Sequence, residues 1–299
     1  MKKILVIGST VADIIINVDY LPTTAQDVHL KSQSMSLGGC AHNVSDMIRH
    51  FNAPYTLFSP IGTGIYGDFV RNQLALKGIT SPMPTPDQAN GCCYCFVEES
   101  GERTFIVDHG AEYLFYKEWF DQLNLEKLSS VYICGLEIED KTGNTIVEFL
   151  ESAKLPVVFA PGPRIHLIDK GLMDRIFALR PILHLNEDEV CRFTNKETIE
   201  EAIEAMYALS QNAVIVTNGS NGAYYYDNTG LHHVAGTPCP QVIDTIGAGD
   251  SHCGAVMAGL ALGFSMEKAI EKANVAAAAV VGCKGALLSD EAFAELNLL

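Results

Sequence analysis

The stretch IDTIGAGDSHCGAVMAGLALG, Ile243–Gly263, sets a turn with two glycines, Gly247 and Gly249, between two aspartates, Asp244 and Asp250, and runs at once into a small-residue helical pattern. The first turn of a helix carries backbone N–H groups without partners and the positive end of the helix dipole. Glycines ahead of it let a ligand come close to the backbone. Such a turn holds anions and suits the charge that develops on a transferring phosphoryl group. Asp250 lies in the same turn, where the dipole favours its ionised form, and a carboxylate there can take a proton from an attacking hydroxyl. The same residues equally make a capped helix behind a glycine turn, and this stretch alone leaves both readings open.

Outward from it, strand-like runs alternate with helical patterns. KKILVIG precedes AHNVSDMIRHF, YTLFSPIG precedes DFVRNQLALKG, and SVYICG precedes KTGNTIVEFLESAK. PVVFAP then leads to LIDKGLMDRIFAL, PILHLN to EDEVCRF and TIEEAIEAMYALS, and NAVIVTNG follows. The strand runs are short, apolar and β-branched, as expected of parallel strands covered on both faces. The alternation predicts an α/β fold with a mostly parallel central sheet and crossover helices. Two stretches break the rhythm, about residues 14–37 and 90–110, with strand alternation and turn signals. They predict a small β lid inserted into a single α/β domain that covers residues 1–299.

Composition bounds the function. The chain has 299 residues, 48% of them apolar, and a formal net charge of −16. An acidic surface is a poor partner for nucleic acid or anionic lipid, although local backbone dipoles and Mg²⁺ can still hold a small phosphate. The opening MKKILVIGSTVADIIINV is broken by Gly8, Asp13 and Asn17 and reads as a buried strand, not as a signal peptide or a membrane span. The expectation is a cytoplasmic protein that contacts neither membrane nor nucleic acid. Nine scattered cysteines then read as reduced thiols. The cluster Cys92, Cys93 and Cys95 lacks the spacing of a metal site.

Other motifs carry weaker signals. GTGIYG, Gly62–Gly67, matches the dinucleotide fingerprint, but the acid expected about twenty residues on falls at Asp87, inside the proline-rich TSPMPTPDQAN. This is the basis of a competing reading as an NAD-dependent oxidoreductase. No P-loop, no G-x-S-x-G and no H-E-x-x-H occurs. His232-His233 face opposite ways on a strand. LNEDEV places Asn186 and Glu189 at a strand end, where Mg²⁺ needs only one or two carboxylates plus substrate phosphates; an acid-rich helix start explains the same residues. GGCAHN is a second strand-to-helix glycine turn with Asn43 in the first helical turn, and Asp13 lies at or just past the end of the first strand. An Asp and an Asn there can hydrogen-bond vicinal hydroxyls.

The order of these pieces resembles the ribokinase-like family of carbohydrate kinases: a strand Asp, a Gly-Gly turn with Asn, Asn-x-x-Glu, Thr-x-Gly-x-x-Gly (Thr217, Gly219, Gly222), then Asp-Thr-x-Gly-Ala-Gly-Asp. The resemblance covers nearly the whole chain, and DTIGAGD with its helix is its specific mark. It implies a three-layer α/β/α ribokinase-like domain with a β-sheet lid, and transfer of the γ-phosphoryl group of ATP to a hydroxyl, usually a CH₂OH, of a sugar or nucleoside. Carried over by position, Asp250 would be the base, with the N–H groups of Gly247, Ala248 and Gly249 as the anion hole. Asn186 and Glu189 would hold hydrated Mg²⁺. Thr217, Gly219 and Gly222 would line the nucleotide site, with Asn274 near the adenine. Asp13, Gly39 and Asn43 would bind the acceptor. A monovalent cation such as K⁺ would sit by Asp244 and Ser289, and the lid would close over the acceptor and pair with a second subunit in a homodimer.

The chain departs from the family pattern in places. APGPR, Ala160–Arg164, replaces an Asp-Pro-Asn-x-Arg-like segment and keeps only Arg164. Thr63-Gly64 follows Ile61-Gly62 where relatives carry an acid, and His42 precedes Asn43. No lysine follows Gly38-Gly39, which disfavours the phosphosugar kinases. A nucleoside acceptor needs an apolar wall for its base, which Phe105, Tyr113 or Phe115 could supply. A non-catalytic sensor on the same fold is the remaining alternative, and its mark would be loss of the base.

Overall fold

The computed structural model describes residues 1–299. Twelve strands follow one another along the chain: β1 (Lys3–Ile7), β2 (Val11–Asn17), β3 (Ser32–Gly38), β4 (Tyr55–Phe58), β5 (Cys92–Val97), β6 (Arg103–Asp108), β7 (Leu128–Cys134), β8 (Val157–Ala160), β9 (Ile182–Asn186), β10 (Val214–Thr217), β11 (Ala223–Asp227) and β12 (Gly230–Val234). Eight form the main sheet in the order β12-β11-β10-β9-β8-β7-β1-β4, and four form a separate sheet in the order β3-β2-β5-β6. From β4 to β10 every main-sheet pairing is parallel, as the alternation predicts. The antiparallel hairpin β11–β12 closes one edge.

The strands are apolar because helices cover both of their faces. Ile4 and Val6 join a buried cluster with Val44 and Ile48 of the helix Cys40–His50 and with Val256 and Ala273 of the helices Ala248–Ala261 and Met266–Val281. Their neighbours Leu5 and Ile7 point the other way, into a second cluster with Ile146, Met173 and Ile203 of the helices Gly143–Ala153, Lys170–Ala178 and Ile199–Ser210. The strand period of two thus feeds two layers at once.

Strand order reverses at β1, which lies between β4 on one side and β7 on the other. A crevice opens beyond the carboxyl ends of the strands at such a point. There Ser9 donates its backbone N–H to Glu137 Oε1 at 2.8 Å, joining the segment after β1 to the one after β7.

The small sheet begins earlier than the sequence predicts. β1 stops at Ile7, and Asp13, expected at its end, is the third residue of β2 in the small sheet, because Gly8–Thr10 interrupt the extended run. The sheet comprises residues 11–38 and 92–108, against expected insertions of about 14–37 and 90–110. One of its faces, with Ala12, Ile14, Ile16 and Cys92, packs with Val70 and Leu74 of the helix Gly64–Leu76. The opposite face carries Asp13 and Arg103.

Phe159 on β8 is fully buried in the second cluster. Phe159→Ala is expected to cost about 3–5 kcal/mol, read as a lower denaturant midpoint with an unchanged slope.

Candidate active site

Gly247 starts the site. It takes a left-handed conformation (φ 74°) as the N-cap of the helix Ala248–Ala261, and no side chain caps that helix. A Cβ on Gly247 would lie 2.5 Å from Ala286 Cβ, so only glycine permits the turn. In this turn the Ala248 N–H makes one long bond to the Thr245 carbonyl at 3.4 Å, while the N–H groups of Gly247 and Gly249 are left for a ligand. Gly249 faces open space.

Two cavities meet at this turn. One, of ≈ 400 Å³, runs between Gly219, Gly222, Asn274 and Val281 up to Ala248 and Gly249. The other, of ≈ 160 Å³, holds Asp250, Asn186, Glu189 and Arg164. Thr217 and Gly249 line both. The expected nucleotide-side residues Thr217, Gly219, Gly222 and Asn274 therefore line one wall, and the expected base and Mg²⁺ residues line the adjoining chamber.

On the opposite side Asn43, in the first turns of the helix Cys40–His50, donates from Nδ2 to Asp250 Oδ2 at 2.9 Å. Asp13 completes the group: a Cβ on Gly38 would lie 1.9 Å from Asp13 Oδ2, so the first glycine of the Gly-Gly pair makes room for that carboxylate. Gly39 packs over the Ser9 carbonyl. Burial raises the Asp13 carboxyl to about 7, and the charge of Asp250 adds to the shift. Burial likewise raises Asp250 to about 6, against the hydrogen bonds from Asn43 and the Cys40 thiol, while Glu137 and Glu189 push it further up.

Sequence reasoning missed Glu137. It is buried, its Oε1 accepts from Ser9, and its Oε2 has no partner. Ser9 Oγ, Thr10 Oγ1 and Asn43 Oδ1 are also buried and unpartnered. Buried polar atoms without partners are costly unless a ligand satisfies them, so this corner fits a molecule rich in hydroxyls. The only signal in the sequence is an acid three residues past an apolar strand.

Asn186 and Glu189 make a reciprocal capping box: Asn186 Oδ1 accepts from Glu189 N–H at 2.8 Å, and Glu189 Oε2 accepts from Asn186 N–H at 3.0 Å. The helix-start reading is therefore real, but Glu189 also lines the chamber with Asp250. Burial raises the Glu189 carboxyl, with Asp188 adding, against the backbone bond from Asn186. No group of three ligating side chains surrounds a point in the molecule, so a cation here would rest mainly on water and phosphate.

Other expectations meet different surroundings. Asp244 is buried and bonded by Arg103 Nη1 at 2.7 Å and by the N–H groups of Ile246 and Gly285. Ser289 Oγ caps the short helix Asp290–Glu295 by accepting from Ala292 N–H at 3.1 Å. Asp244 and Ser289, the residues expected beside a monovalent cation, thus each already make protein contacts. The GTGIYG turn is filled by protein: Thr63 N–H bonds Gln88 O, Asn90 N–H bonds Thr63 O, and Asn90 Oδ1 accepts from Gly62 N–H. No dinucleotide fits there. Phe115 belongs to the second core cluster and cannot wall a base. Tyr113 is buried and stacked on His109, whereas Phe105 stands 50% exposed on β6. Arg164 is held in a two-pronged pair by Glu139.

Asn274 lines the larger cavity with its amide already engaged. Nδ2 donates to the carbonyls of Val234 and Ala235, which turns Oδ1 toward His252 Nε2 at 3.2 Å. His252 Nε2 is then the donor and its Nδ1 the acceptor for His184 Nε2–H at 2.8 Å. The orientation of one amide sets the order of donors, and both nitrogens of His252 are engaged, leaving it no place for a second proton. Burial lowers His252 to about 4 and holds His184 well below its ordinary value.

Residues 1–292 match the family described as pfkB family carbohydrate kinase, and the chain belongs to that family. It is a phosphotransferase that acts on a hydroxyl group. The uncharacterized sugar kinase YegV of Escherichia coli is 33% identical over 289 residues, covering 95% of this chain and 90% of that protein. A ribokinase of Arabidopsis thaliana is 25% identical over 298 residues, covering 96% and 78%. Among solved structures, a ribokinase of Giardia lamblia superposes with a TM-score of 0.85 at 24% identity, covering 99% of each chain. A nucleoside kinase of Burkholderia thailandensis, in complex with inosine, gives 0.80 at 18% identity, covering 98% and 94%.

The histidine pair sets a pH expectation. The unfolded chain takes up protons below about 6.5, while folded His252 resists them until about 4. Stability is therefore greatest above 6.5 and drains away as pH falls toward 4, by on the order of 3 kcal/mol for this residue. Urea unfolding from pH 7 to 4 should show a steeper loss in the wild type than in His252→Gln.

Proposed function

We propose that the chain is a Mg·ATP-dependent kinase that phosphorylates a CH₂OH group of an uncharged sugar. The observation that carries this reading is the meeting of the two cavities at Thr217 and Gly249, with the uncapped helix N-terminus at the junction and Asp250 just beyond it. ATP fits the larger cavity, with its terminal phosphates directed at the N–H groups of Gly247, Ala248 and Gly249. Asp13, Asn43 and Glu137 hold the acceptor so that one hydroxyl lies at Asp250. Asp250 accepts that hydroxyl's proton as its oxygen attacks the γ-phosphorus in line, and the anion turn takes the charge on the equatorial oxygens. Glu189, with Asn186 behind it, would hold hydrated Mg²⁺, which neutralises phosphate charge. The small sheet acts as a lid that excludes water from the transfer.

The charge of the acceptor corner supports a neutral substrate. Asp13, Glu137 and Asp250 are acidic, and the other polar residues of the corner, Ser9, Thr10 and Asn43, are neutral. A phosphorylated sugar would place negative charge against three carboxyls. The relatives include proteins named sugar kinase and ribokinase, in keeping with a free sugar. A nucleoside acceptor is a second reading, favoured by exposed Phe105 on the crevice-facing side of the lid and by the inosine-bound relative. We place the protein in the cytoplasm, a location compatible with the lack of any helix long and apolar enough to cross a membrane. A homodimer through the lid would cover the exposed side chains of Phe105, Ile106 and Val107.

Release of ADP from Mg·ATP should be measured across pentoses, hexoses, their phosphates and nucleosides. Turnover is expected with a neutral acceptor and absent with phosphorylated ones. Asp250→Asn should lower kcat by about 10²–10⁴ with ATP binding intact; turnover near the wild-type level in that variant would remove Asp250 as the base. The base must be ionised to act, so kcat/KM should fall as pH drops through about 6, the value to which burial raises Asp250. A profile flat down to pH 5 would contradict that role.

A further inference from the structure

The buried Asp244 stands directly before the anion turn and holds three elements together. Its Oδ1 accepts from Ile246 N–H at 2.9 Å, inside the turn, and its Oδ2 accepts from Gly285 N–H at 3.0 Å. The segment after Gly285 is the one against which Gly247 packs, through Ala286. The third partner comes from the small sheet. Arg103 Nη1 lies 2.7 Å from Asp244 Oδ1, and the two side chains are 24% and 4% exposed. Arg103 is the first residue of β6, beside the hairpin tip at Ser100–Gly101, on the same face of the sheet as Asp13.

We propose that Arg103 is a positioning residue: a tethered cation delivered from the lid to Asp244, which occupies the place of an alkali cation and joins lid closure to the shape of the anion turn. The inference rests on the kinase reading above. Both oxygens of Asp244 are already engaged by one guanidinium and two backbone N–H groups, so the positive charge beside this carboxylate is supplied by Arg103. Burial alone would raise the Asp244 carboxyl; Arg103 and the two N–H groups hold it below its ordinary value, so it is an anion that needs a cation. If the lid swings away, that buried charge loses its partner, which is costly. The turn next to it then loses the positive charge that helps fix it for phosphate. The enzyme thus presents a completed anion turn when the lid is down over an acceptor, which limits transfer to water.

The test is ADP release with a saturating acceptor in buffers whose only monovalent cation is K⁺, Na⁺ or choline, for wild type, Arg103→Ala and Arg103→Lys. The wild type should be equally active in all three. Arg103→Ala should lose on the order of tenfold in kcat/KM for ATP, regain part of it in K⁺ but not in choline, and show faster acceptor-independent ATP hydrolysis relative to transfer. Arg103→Lys should retain most of the activity. Stimulation of the wild type by K⁺ of about tenfold would overturn the proposal, and so would an Arg103→Ala variant indistinguishable from wild type in choline. A second readout does not need turnover. The thermal midpoint of Arg103→Ala should rise in K⁺ over choline while that of the wild type does not, and a K⁺-dependent rise in the wild type would overturn the proposal by itself. Absence of any acceptor-dependent ADP release in every buffer would instead count against the kinase reading, with the thermal measurement still deciding the role of Arg103.

Discussion

The hydrogen bond from Asn43 to Asp250 joins residues 207 positions apart, and the site is organised around it. Each partner sits in the opening turns of its own helix, Cys40–His50 and Ala248–Ala261, and those helices pack side by side on one face of the sheet. Each is entered through glycines that no other residue can replace without collision. One glycine pair admits the carboxylate of Asp13, and the other turn exposes backbone N–H groups to a ligand. The bond brings the two together, so that a hydroxyl held on one side faces a phosphate held on the other. Proximity of this kind accounts for much of what such a site contributes to rate.

The electrostatics of the site work against the whole molecule's charge. A chain of net charge −16 gathers Asp13, Glu137, Glu189, Asp244 and Asp250 about one crevice, yet the proposed reaction places an anion there. Oriented backbone resolves the conflict. The helix end and the turn before it provide fixed partial positive charge that no side chain needs to supply. Acid crowding then fits the proposed role of Asp250: burial and neighbouring carboxylates raise its carboxyl to about 6, near the pH at which a base is most effective. Asn43 limits that shift by stabilising the ionised form, so the same bond that holds Asp250 in place also favours its carboxylate.

Much of this was legible in the sequence, and the limits follow the range of the interactions. The main parallel strands, their crossover helices and the glycine turns are local patterns of apolar period and turn chemistry, and the structure places them where those patterns point. The residues around Asp250, Asn43 and Thr217 could be recognised because they sit at strand ends and helix starts. The hairpin β11–β12 was not foreseen, since its tyrosines and histidines give little apolar contrast. Asp13 was assigned to the end of the wrong strand, because a three-residue break with no proline does not announce a change of sheet. Glu137, the Arg103–Asp244 pair and the relay His184–His252–Asn274 depend on contacts 22 to 141 residues apart. No window of sequence holds both partners, and an acid that will be buried looks the same in sequence as one on the surface.

Two of the glycine turns that precede helices in this chain show why a motif is decided by its surroundings. GTGIYG and TIGAGD each place glycines before a helix, and each leaves that helix without a side-chain cap. At Gly62 the space above the turn is taken by residues 88–90, whose backbone and amide groups satisfy the very N–H groups a phosphate would have used. A Cβ on Gly67 would strike the Gly62 carbonyl at 2.0 Å, so that glycine serves close packing of the turn on itself. At Gly249 a Cβ would meet nothing, and two cavities open there. Local conformation is shared; the difference lies in whether the rest of the chain returns to fill the space. A glycine turn that the fold leaves unfilled, at the strand ends where the sheet reverses its order, retains the unpaired N–H groups of Gly247 and Gly249, and the proposed phosphate site rests on those donors.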